Sequence, residues 1–225
     1  MKKMLAALAL ALTLPTCALG DSEGVIVQSS CNIVQSGDYY CFAQVHNNAS
    51  TVICLDQGTF DLQSGETLLS TSEVSQIWPY FLSPGEDGYL FDIVSFEPDE
   101  NGNPVIPSIT GISYNVTYLP VDNAYASYDL SAVSEIAQDV SGDVSVVCRL
   151  TNSTDMDAYN PTVALGLYTD DGTMVYADGT TLQDVGIPAG GTVLVRFDVD
   201  DVFVKQWQSY GAMPTQANTN ASFRK

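Results

Sequence analysis

The chain has little of what most catalytic sites and metal sites are built from. Its 225 residues include one histidine, His46, with five cysteines and seven lysines or arginines. A serine or cysteine nucleophile needs a positioned base, which here has to be His46 or a carboxylate. The carboxylates are scattered over turns, so no pair stands out for glycoside chemistry, and the cysteine spacing fits no zinc motif. We therefore predict no catalytic residue, no cofactor and no enzyme activity.

Long apolar runs are also missing, apart from one near the start of the chain. Two lysines precede an apolar run at residues 4–14 that is too short to cross a bilayer. Basic residues, a short apolar run and then small residues are the layout of a secretory signal peptide, which we assign to residues 1–20. The signal peptide could be processed in two ways: by cleavage after Gly20, or by lipid attachment at Cys17, whose preceding residues resemble part of a bacterial lipobox. We predict an exported protein, extracellular or attached to the cell envelope, with no transmembrane segment and with Cys17 as the candidate lipid anchor.

Positive charge is absent from half of the mature chain. Without residues 1–20, 27 acidic residues face five basic ones, a net charge of about −22. Residues 21–128 contain 14 acids and no lysine or arginine. The five bases are Arg149, Arg196, Lys205, Arg224 and Lys225. Such a surface repels phosphate and anionic lipid, so we exclude nucleic acid as a partner and leave open basic partners and divalent cations.

The sequence repeats itself at an offset of about 105 residues. At 105 the aligned segments include Ser36-Gly37-Asp38 with Ser141-Gly142-Asp143, and Asn47 with Asn152; at 106 they include Phe91-Asp92 with Phe197-Asp198. A drift of one residue suits a change of loop length between duplicated domains. We therefore predict two copies of one folding unit.

Within each copy the apolar residues alternate with a period of two, which is typical of half-buried strands. The predicted core residues are Tyr39, Cys41, Ala43 and Val45 in the first copy, and Val144, Val146, Cys148 and Leu150 in the second. Short strands separated by glycine and proline turns favour a sandwich. We predict an all-β protein with two tandem Ig-like antiparallel β-sandwich domains after the signal peptide: domain 1 at 21–122, a linker at 123–133 and domain 2 at 134–225. One helix is predicted, over residues 202–209.

One hairpin resembles a known family. The stretch Leu165-Gly166-Leu167-Tyr168-Thr169-Asp170-Asp171-Gly172 is similar to the F-x-L-Y-D-x-x-G hairpin of bacterial FxLYD domains, and the segments 187–191 and 82–86 resemble that family's L-x-P-G-E turn. The first copy departs from the pattern, because Gln63 replaces the tyrosine, and in the second Leu165 replaces the phenylalanine. The resemblance implies tandem FxLYD-type, immunoglobulin- or fibronectin-like sandwiches in an exported bacterial protein. It implies no catalytic residues.

The cysteines of the mature chain are candidates for one disulfide, since export leads to an oxidising compartment. Cys31 and Cys41 lie symmetrically about Ser36 and could face each other across a hairpin. Cys41 and Cys54 compete for the same bond, because they are symmetric about the next loop. Cys148 has no partner within its own domain.

An acidic loop is the weak candidate for calcium. Asp99, Asn101 and Asn103 offer alternating oxygen ligands, as at the start of a calcium-binding loop. The loop lacks the glycine at the sixth place and the acid at the twelfth that such loops carry.

Aromatic residues cluster just before a turn. Trp78, Tyr80 and Phe81 could anchor a peptide or a sugar ring, although such a cluster more often closes the end of a sandwich. The same core interpretation applies to Trp207.

These observations predict a non-enzymatic module, exported or in the cell envelope, that binds or spaces an unknown protein, peptide or glycan through its loops or sheet edges. The alternative is a carrier of calcium or of a small ligand that uses the acidic first domain.

Overall fold

The computed structural model describes residues 25–35, 38–103, 105 and 107–225, with the backbone alone for residues 26–35. The strands are β1 Val25–Gln35, β2 Asp38–Asn47, β3 Ile53–Ser64, β4 Thr67–Glu73, β5 Gln76–Trp78, β6 Phe81–Leu82, β7 Asp87–Ser95, β8 Gly111–Pro120, β9 Tyr128–Asp129, β10 Ser131–Gln138, β11 Val144–Thr151, β12 Ala158–Tyr159, β13 Thr162–Tyr168, β14 Met174–Thr181, β15 Gly186–Ile187, β16 Thr192–Asp198 and β17 Gln216–Phe223. One α-helix, α1, spans Asp201–Tyr210. The fold is all-β, as the alternating pattern predicts. The predicted signal peptide and Cys17 lie outside the described residues.

The first half of the chain forms two antiparallel sheets. Sheet I has the order β1-β2-β7-β5, and sheet II is built around β3, which pairs with β4, β6 and β8. One apolar cluster fills the space between them and includes the four predicted core residues of β2. Alternation along β2 and β3 explains this arrangement, because every second side chain points into the same layer.

The second half repeats this architecture. Sheet III has the order β14-β13-β17-β9, and sheet IV has the order β10-β11-β16. The short pair β12 and β15 lies beside them. A second cluster includes the predicted core residues of β11 together with residues of β13, β14 and β16. The two predicted sets of inward-facing residues are therefore confirmed.

A buried asparagine shows how closely the two copies correspond. Asn47 Nδ2 donates to the carbonyl oxygens of Thr51 and Leu82, each at 2.9 Å. In the second copy Asn152 Nδ2 donates to the equivalent carbonyl oxygens 105 residues further along, those of Met156 at 2.7 Å and Ile187 at 2.9 Å. The backbone of each asparagine also bonds to the turn that follows β6 or β15. This tie holds the same loop and turn together in both copies.

The alignment of Phe91-Asp92 with Phe197-Asp198 is wrong. In sheet I, Asp92 lies opposite Cys41, and in sheet IV Phe197 lies opposite Val146. Cys41 and Val146 are 105 residues apart, so Asp92 corresponds to Phe197 and the offset of 105 holds along this strand. A buried aspartate, 6% exposed, thus stands in the first core where the second has a phenylalanine. Ser72 donates a hydrogen bond to its carboxylate.

The predicted helix is confirmed and packs against the second sandwich. Its N-cap is Asp200, whose carboxylate accepts from the Val202 N–H at 3.0 Å, and it ends at Gly211, whose φ of 66° suits a residue without a side chain. Phe203, Val204 and Trp207 form its buried face. Trp207 is a core residue, as predicted.

The segment between the sandwiches is short in the structure. Within the predicted linker 123–133, Asn123–Tyr125 forms a 3-10 turn, while β9 and the beginning of β10 pair with strands of the second sandwich. Leu130 is buried in the second cluster. The domain boundaries themselves stay predictions. Among the described residues, no helix has the length and apolar character needed to cross a membrane.

Candidate functional site

Sheet I and sheet III pack face to face, and we call this contact the joint. On sheet I the outward side chains of the joint are large and aromatic, including Phe42, Tyr89 and Trp78. On sheet III the facing positions include glycine. A Cβ atom at Gly166 would lie 2.6 Å from Tyr89 Cε1, and one at Gly179 would overlap the Trp78 ring. Only glycine allows so close an approach, so the two sheets are matched in shape.

Aromatic rings continue the joint toward α1. Phe42 of sheet I lies 5.3 Å from Tyr176 and 6.0 Å from Phe203, measured between ring centroids. Tyr40 is edge-on to Phe203 at 5.2 Å. Phe42 and Tyr89 therefore belong to the core cluster of the second sandwich although they come from the first. Such ring contacts add to the apolar burial that holds the two sandwiches together.

Polar bonds tie the joint at its margins. The Tyr168 hydroxyl donates to Gln44 Oε1 at 2.7 Å, across the two sandwiches. Asn220 Nδ2 donates to the Asp87 carbonyl oxygen at 2.8 Å and to Glu86 Oε1 at 2.9 Å. These bonds fix the relative register of the sheets, because each requires a specific donor to face a specific acceptor.

A groove of about 650 Å³ runs beside the joint. We call it the joint groove and define it by its lining residues: Ser75, Gln76, Ile77, Trp78, Pro79, Tyr80, Tyr159, Asn160, Thr162, Thr181, Ser222, Phe223 and Arg224. The first sandwich supplies 75–80 and the second supplies the rest. Tyr80 is 53% exposed and Tyr159 is 63% exposed, so two aromatic rings from different sandwiches meet solvent here.

The predicted aromatic cluster divides between two places. Trp78 and Tyr80 line the joint groove, whereas Phe81 is not among its lining residues. The Phe81 ring stacks on Tyr125 at 5.5 Å, and the Arg224 guanidinium lies 3.9 Å from the ring centroid on Phe81. Partial burial lowers the pKa of Arg224, with no loss of its charge at neutral pH.

Sequence reasoning missed the half of the groove that comes from the second sandwich. Tyr159, Asn160 and Arg224 are remote in sequence from Trp78, and only the joint brings them together. One local signal is a polar turn residue next to an exposed tyrosine: Asn160 has a φ of 48°, a left-handed conformation that asparagine tolerates.

The charge of the joint groove differs from that of its neighbour. None of the lining residues of the joint groove is acidic, and Arg224 is basic. A smaller groove, of about 260 Å³, lies at the Asn220 margin and is lined by Glu86, Asp87 and Asp129 among others. In a chain of this net charge, the joint groove is the one of the two that does not repel an anionic or electron-rich ligand.

His46 lies on the outward side of β2, away from Cys41, as predicted. Its Nδ1 is 2.7 Å from Asp87 Oδ1, and both side chains are about three-quarters buried. Cys41 lies in the first core, where burial raises the pKa of its thiol to about 12 and the negative charge of Asp92 adds to the effect. Such a thiol stays protonated, which makes it a poor nucleophile.

The cysteines whose side chains are described are free thiols: Cys41, Cys54 and Cys148. Cys41 faces inward on β2, while Cys54 alternates with the buried Ile53 and Leu55 and faces outward, so the Cys41–Cys54 bond is not formed. The register of β1 and β2 sets Asn32 opposite Cys41 and Cys31 opposite Phe42. The Cys31 side chain lies outside the described residues.

The calcium candidates form a tight turn. Asp99 Oδ1 accepts hydrogen bonds from the N–H groups of Asn101 and Asn103, and the Asn103 amide also donates to this carboxylate. These bonds lower the pKa of Asp99, the Asn103 side chain contributing most. Gly102 completes the turn with a φ of 79°.

Two other turns share this geometry. Asp139 caps the turn that ends at Asp143, and the turn Thr169–Thr173 has the same pair of backbone bonds. A turn that recurs at three places in the fold accounts for Asp99, Asn101 and Asn103 without a metal. Among the described residues, no group of three or more His, Cys, Asp or Glu side chains is close enough to hold a metal ion. Calcium binding stays an untested prediction.

Comparison of the chain with protein-family models and with curated protein sequences finds no match. The resemblance to FxLYD domains therefore depends on the residues of the hairpin and turns alone.

Proposed function

We propose that the chain is an exported, non-enzymatic binding module of the FxLYD kind, and that it binds its partner in the joint groove. The observation that carries the proposal is the exposure of Tyr80 and Tyr159 on opposite sandwiches beside the same groove. Exposure of a large aromatic ring to water is unfavourable, so such rings favour contact with a partner.

The lining chemistry favours a saccharide chain as the ligand. Aromatic faces pack against the apolar faces of sugar rings, while the hydroxyls and amides of Thr162, Thr181 and Asn160 provide the donors and acceptors that sugar hydroxyls require. The lack of acidic residues and the presence of Arg224 also admit sugars with carboxylate or sulfate groups. Among the partners considered, a glycan fits this groove better than a cationic peptide, which would seek carboxylates.

The joint supports this role by fixing the groove. Its walls come from two sandwiches, and the glycine contacts and the Tyr168–Gln44 bond hold those sandwiches in one arrangement. A groove that is already formed does not require ordering when the ligand binds, which improves affinity.

The experiment is isothermal calorimetry on the full exported chain with a panel of neutral and acidic oligosaccharides, and with short peptides as a second class. We expect at least one oligosaccharide to bind, and we expect Tyr159→Ala to weaken its affinity about tenfold, since a lost ring contact costs about 1–1.5 kcal/mol. Tyr210→Ala removes a similarly exposed ring, on α1, and should leave the affinity unchanged.

Three outcomes would contradict the proposal. They are the absence of binding across the panel, equal binding by the Tyr159→Ala variant, and turnover of a bound oligosaccharide. Binding of peptides alone, lost in the Tyr159→Ala variant, would preserve the binding module and replace the ligand class. The export step is tested separately by the intact mass of the protein released or extracted from cells, which distinguishes a chain that begins at Asp21 from one that is lipidated at Cys17.

A further inference from the structure

The joint is an unequal contact between the two copies. By the offset of 105, sheet I corresponds to sheet IV, since β2 and β7 match β11 and β16. In the same way sheet II corresponds to sheet III, since β3 and β8 match β13 and β17. In the joint, sheet I of the first copy therefore packs on sheet III of the second copy, which is the counterpart of sheet II. The two remaining outward faces, those of sheet II and sheet IV, are the complementary pair.

The outward face of sheet IV exposes apolar side chains and two arginines, with Glu135 and Asp198 on the same face. One cross-strand row consists of Val133, Arg149 and Leu194. Val133 is 67% exposed, Leu194 is 61% exposed, and Arg149 is exposed beside them. The next row contains Glu135 and Arg196, and the Arg196 Nε donates to Asp198 at 2.5 Å. Each guanidinium retains further donors for a partner.

The outward face of sheet II is polar and acidic. Asp61 lies on β3 between Thr71 of β4 and Ser113 of β8. Its carboxylate accepts from the Thr71 hydroxyl at 2.7 Å and from Asn115 Nδ2 at 2.9 Å. Glu73 lies on the same face and is exposed. Residues 21–128 contain no lysine or arginine to balance these charges.

Each residue of the joint has a counterpart 105 positions away in the other copy. When the counterparts are paired as the residues of the joint are, the pairs join the outward faces of sheet IV and sheet II. Within the chain the Tyr168 hydroxyl donates to Gln44. The residues 105 positions away are Gln63 on sheet II and Arg149 on sheet IV, and an arginine can donate to a glutamine oxygen in the same place.

A second pair of positions places an apolar side chain against a carboxylate. Within the chain Tyr89 packs on Gly166. The corresponding residues are Leu194 on sheet IV and Asp61 on sheet II, and Leu194 has Arg196 two residues further along β16. Basic groups of one face would thus meet acidic groups of the other.

We propose that the outward face of sheet IV binds the outward face of sheet II of a second copy of this chain, with the two types of sheet paired as they are in the joint. The contact joins different faces, so it leaves one free face of each kind and continues head to tail. Leu194 stands in place of Tyr89 and Asp61 in place of Gly166, so the two faces interlock less closely than those of the joint. The contact between chains is therefore weaker than the joint and reversible.

The test is sedimentation equilibrium of the full exported chain over a wide range of concentration. We expect the weight-average mass to rise with concentration and to pass the mass of two chains. Arg149→Glu with Arg196→Glu should weaken the association more than about tenfold, since like charges then face each other. Lys205→Glu with Lys225→Glu adds the same negative charge elsewhere and should leave the association intact.

A charge exchange distinguishes head-to-tail contact from other assemblies. Asp61→Lys with Glu73→Lys should also abolish association on its own, and an equal mixture of the two charge-reversed proteins should recover it, because every contact in the mixture is again between opposite charges. Circular dichroism confirms that each variant is folded, and Arg149→Gln with Arg196→Gln serves if the glutamate variant is not. A wild-type mass that stays at one chain, a mass that levels off at two chains, or unchanged association in the Asp61 and Glu73 variant would overturn the proposal.

Discussion

The two sandwiches share an inner framework and differ in the residues that face outward. Both contain the asparagine tie, with Asn47 and Asn152 in the same role. On the outside, sheet I presents Phe42 and Tyr89, which are buried in the joint, whereas the corresponding Val147 and Leu194 of sheet IV are partly or largely exposed. The two corresponding sheets therefore differ, because the outward face of sheet I is buried within the chain and that of sheet IV is not.

This difference teaches that the fold and the assembly are encoded by different sets of residues. Inward alternation and turn chemistry are enough to build each sandwich. The choice of which sandwich faces meet is made by ring size on one side and by glycine on the other, as at Tyr89 and Gly166. Substitutions can therefore affect one level and spare the other.

The largest effect is expected at the shared asparagine. Asn47→Ala and Asn152→Ala should each lower the free energy of unfolding by about 3 kcal/mol, because each removes the side-chain donor to one buried and one part-buried carbonyl group. Urea unfolding measures the loss. Asn115→Ala, which removes an exposed amide bound to Asp61, should change stability by less than about 0.5 kcal/mol.

Equal losses in the two copies would sharpen the comparison between them. A large loss in one copy with none in the other would show that the tie is not equivalent, although the bonds of Asn47 and Asn152 look the same.

The joint should be the next most sensitive feature. Gly179→Ala and Gly166→Ala should each lower the free energy of unfolding by about 2 kcal/mol, because the added Cβ collides with Trp78 or Tyr89 in a packed interface. Gly111→Ala is the matched control, since its added Cβ would meet only the Gln63 side chain at 4.0 Å.

Unfolding should also become less cooperative in these variants, with the sandwiches melting in separate steps, because the joint couples them. A single unchanged transition in the Gly179→Ala variant would show that the joint contributes nothing to the stability of the chain.

The inner framework could be predicted from the sequence because its signal is local. Alternation along β2 and β11 identifies Tyr39 to Val45 and Val144 to Leu150 as strands, and both strands and their inward faces are confirmed, although the other face of β2 is also buried, in the joint. The sequence signal for the helix is also local, since Asp200 and Gly211 mark its two ends.

The contacts of the joint could not be predicted, because they are made between residues far apart in sequence. Tyr89 and Gly166 form no periodic pattern with each other, and a glycine within a strand has several explanations. The alignment at 106 failed for a related reason. Matching Phe91 to Phe197 follows residue type, while the structure follows the face of the strand, on which Asp92 replaces Phe197.

The smallest expected effect concerns two aspartates of the β13–β14 hairpin with opposite pKa shifts. Burial raises the pKa of Asp178 above its ordinary value, while the Gly179 N–H and the Tyr176 hydroxyl oppose the shift in part. Hydrogen bonds, first from the Thr169 side chain and then from Thr173, lower the pKa of the exposed Asp171. The folded chain therefore holds the Asp178 proton more tightly than the unfolded chain does, and the Asp171 proton less tightly.

The two shifts have opposite consequences for stability. The stability that protonated Asp178 contributes is lost as the pH rises from about 4 through its raised folded pKa, so the stability of Asp178→Asn relative to the wild type should increase between pH 4 and pH 7. The contribution of Asp171 is present above its unfolded value and is lost as the pH falls through its lowered folded value. Asp171→Asn should therefore be less stable than the wild type at pH 7, with the difference shrinking on acidification. Urea unfolding of both variants and the wild type across this range measures how the free energy of unfolding changes with pH. The same pH dependence in Asp178→Asn and the wild type would show that burial does not raise the pKa of Asp178.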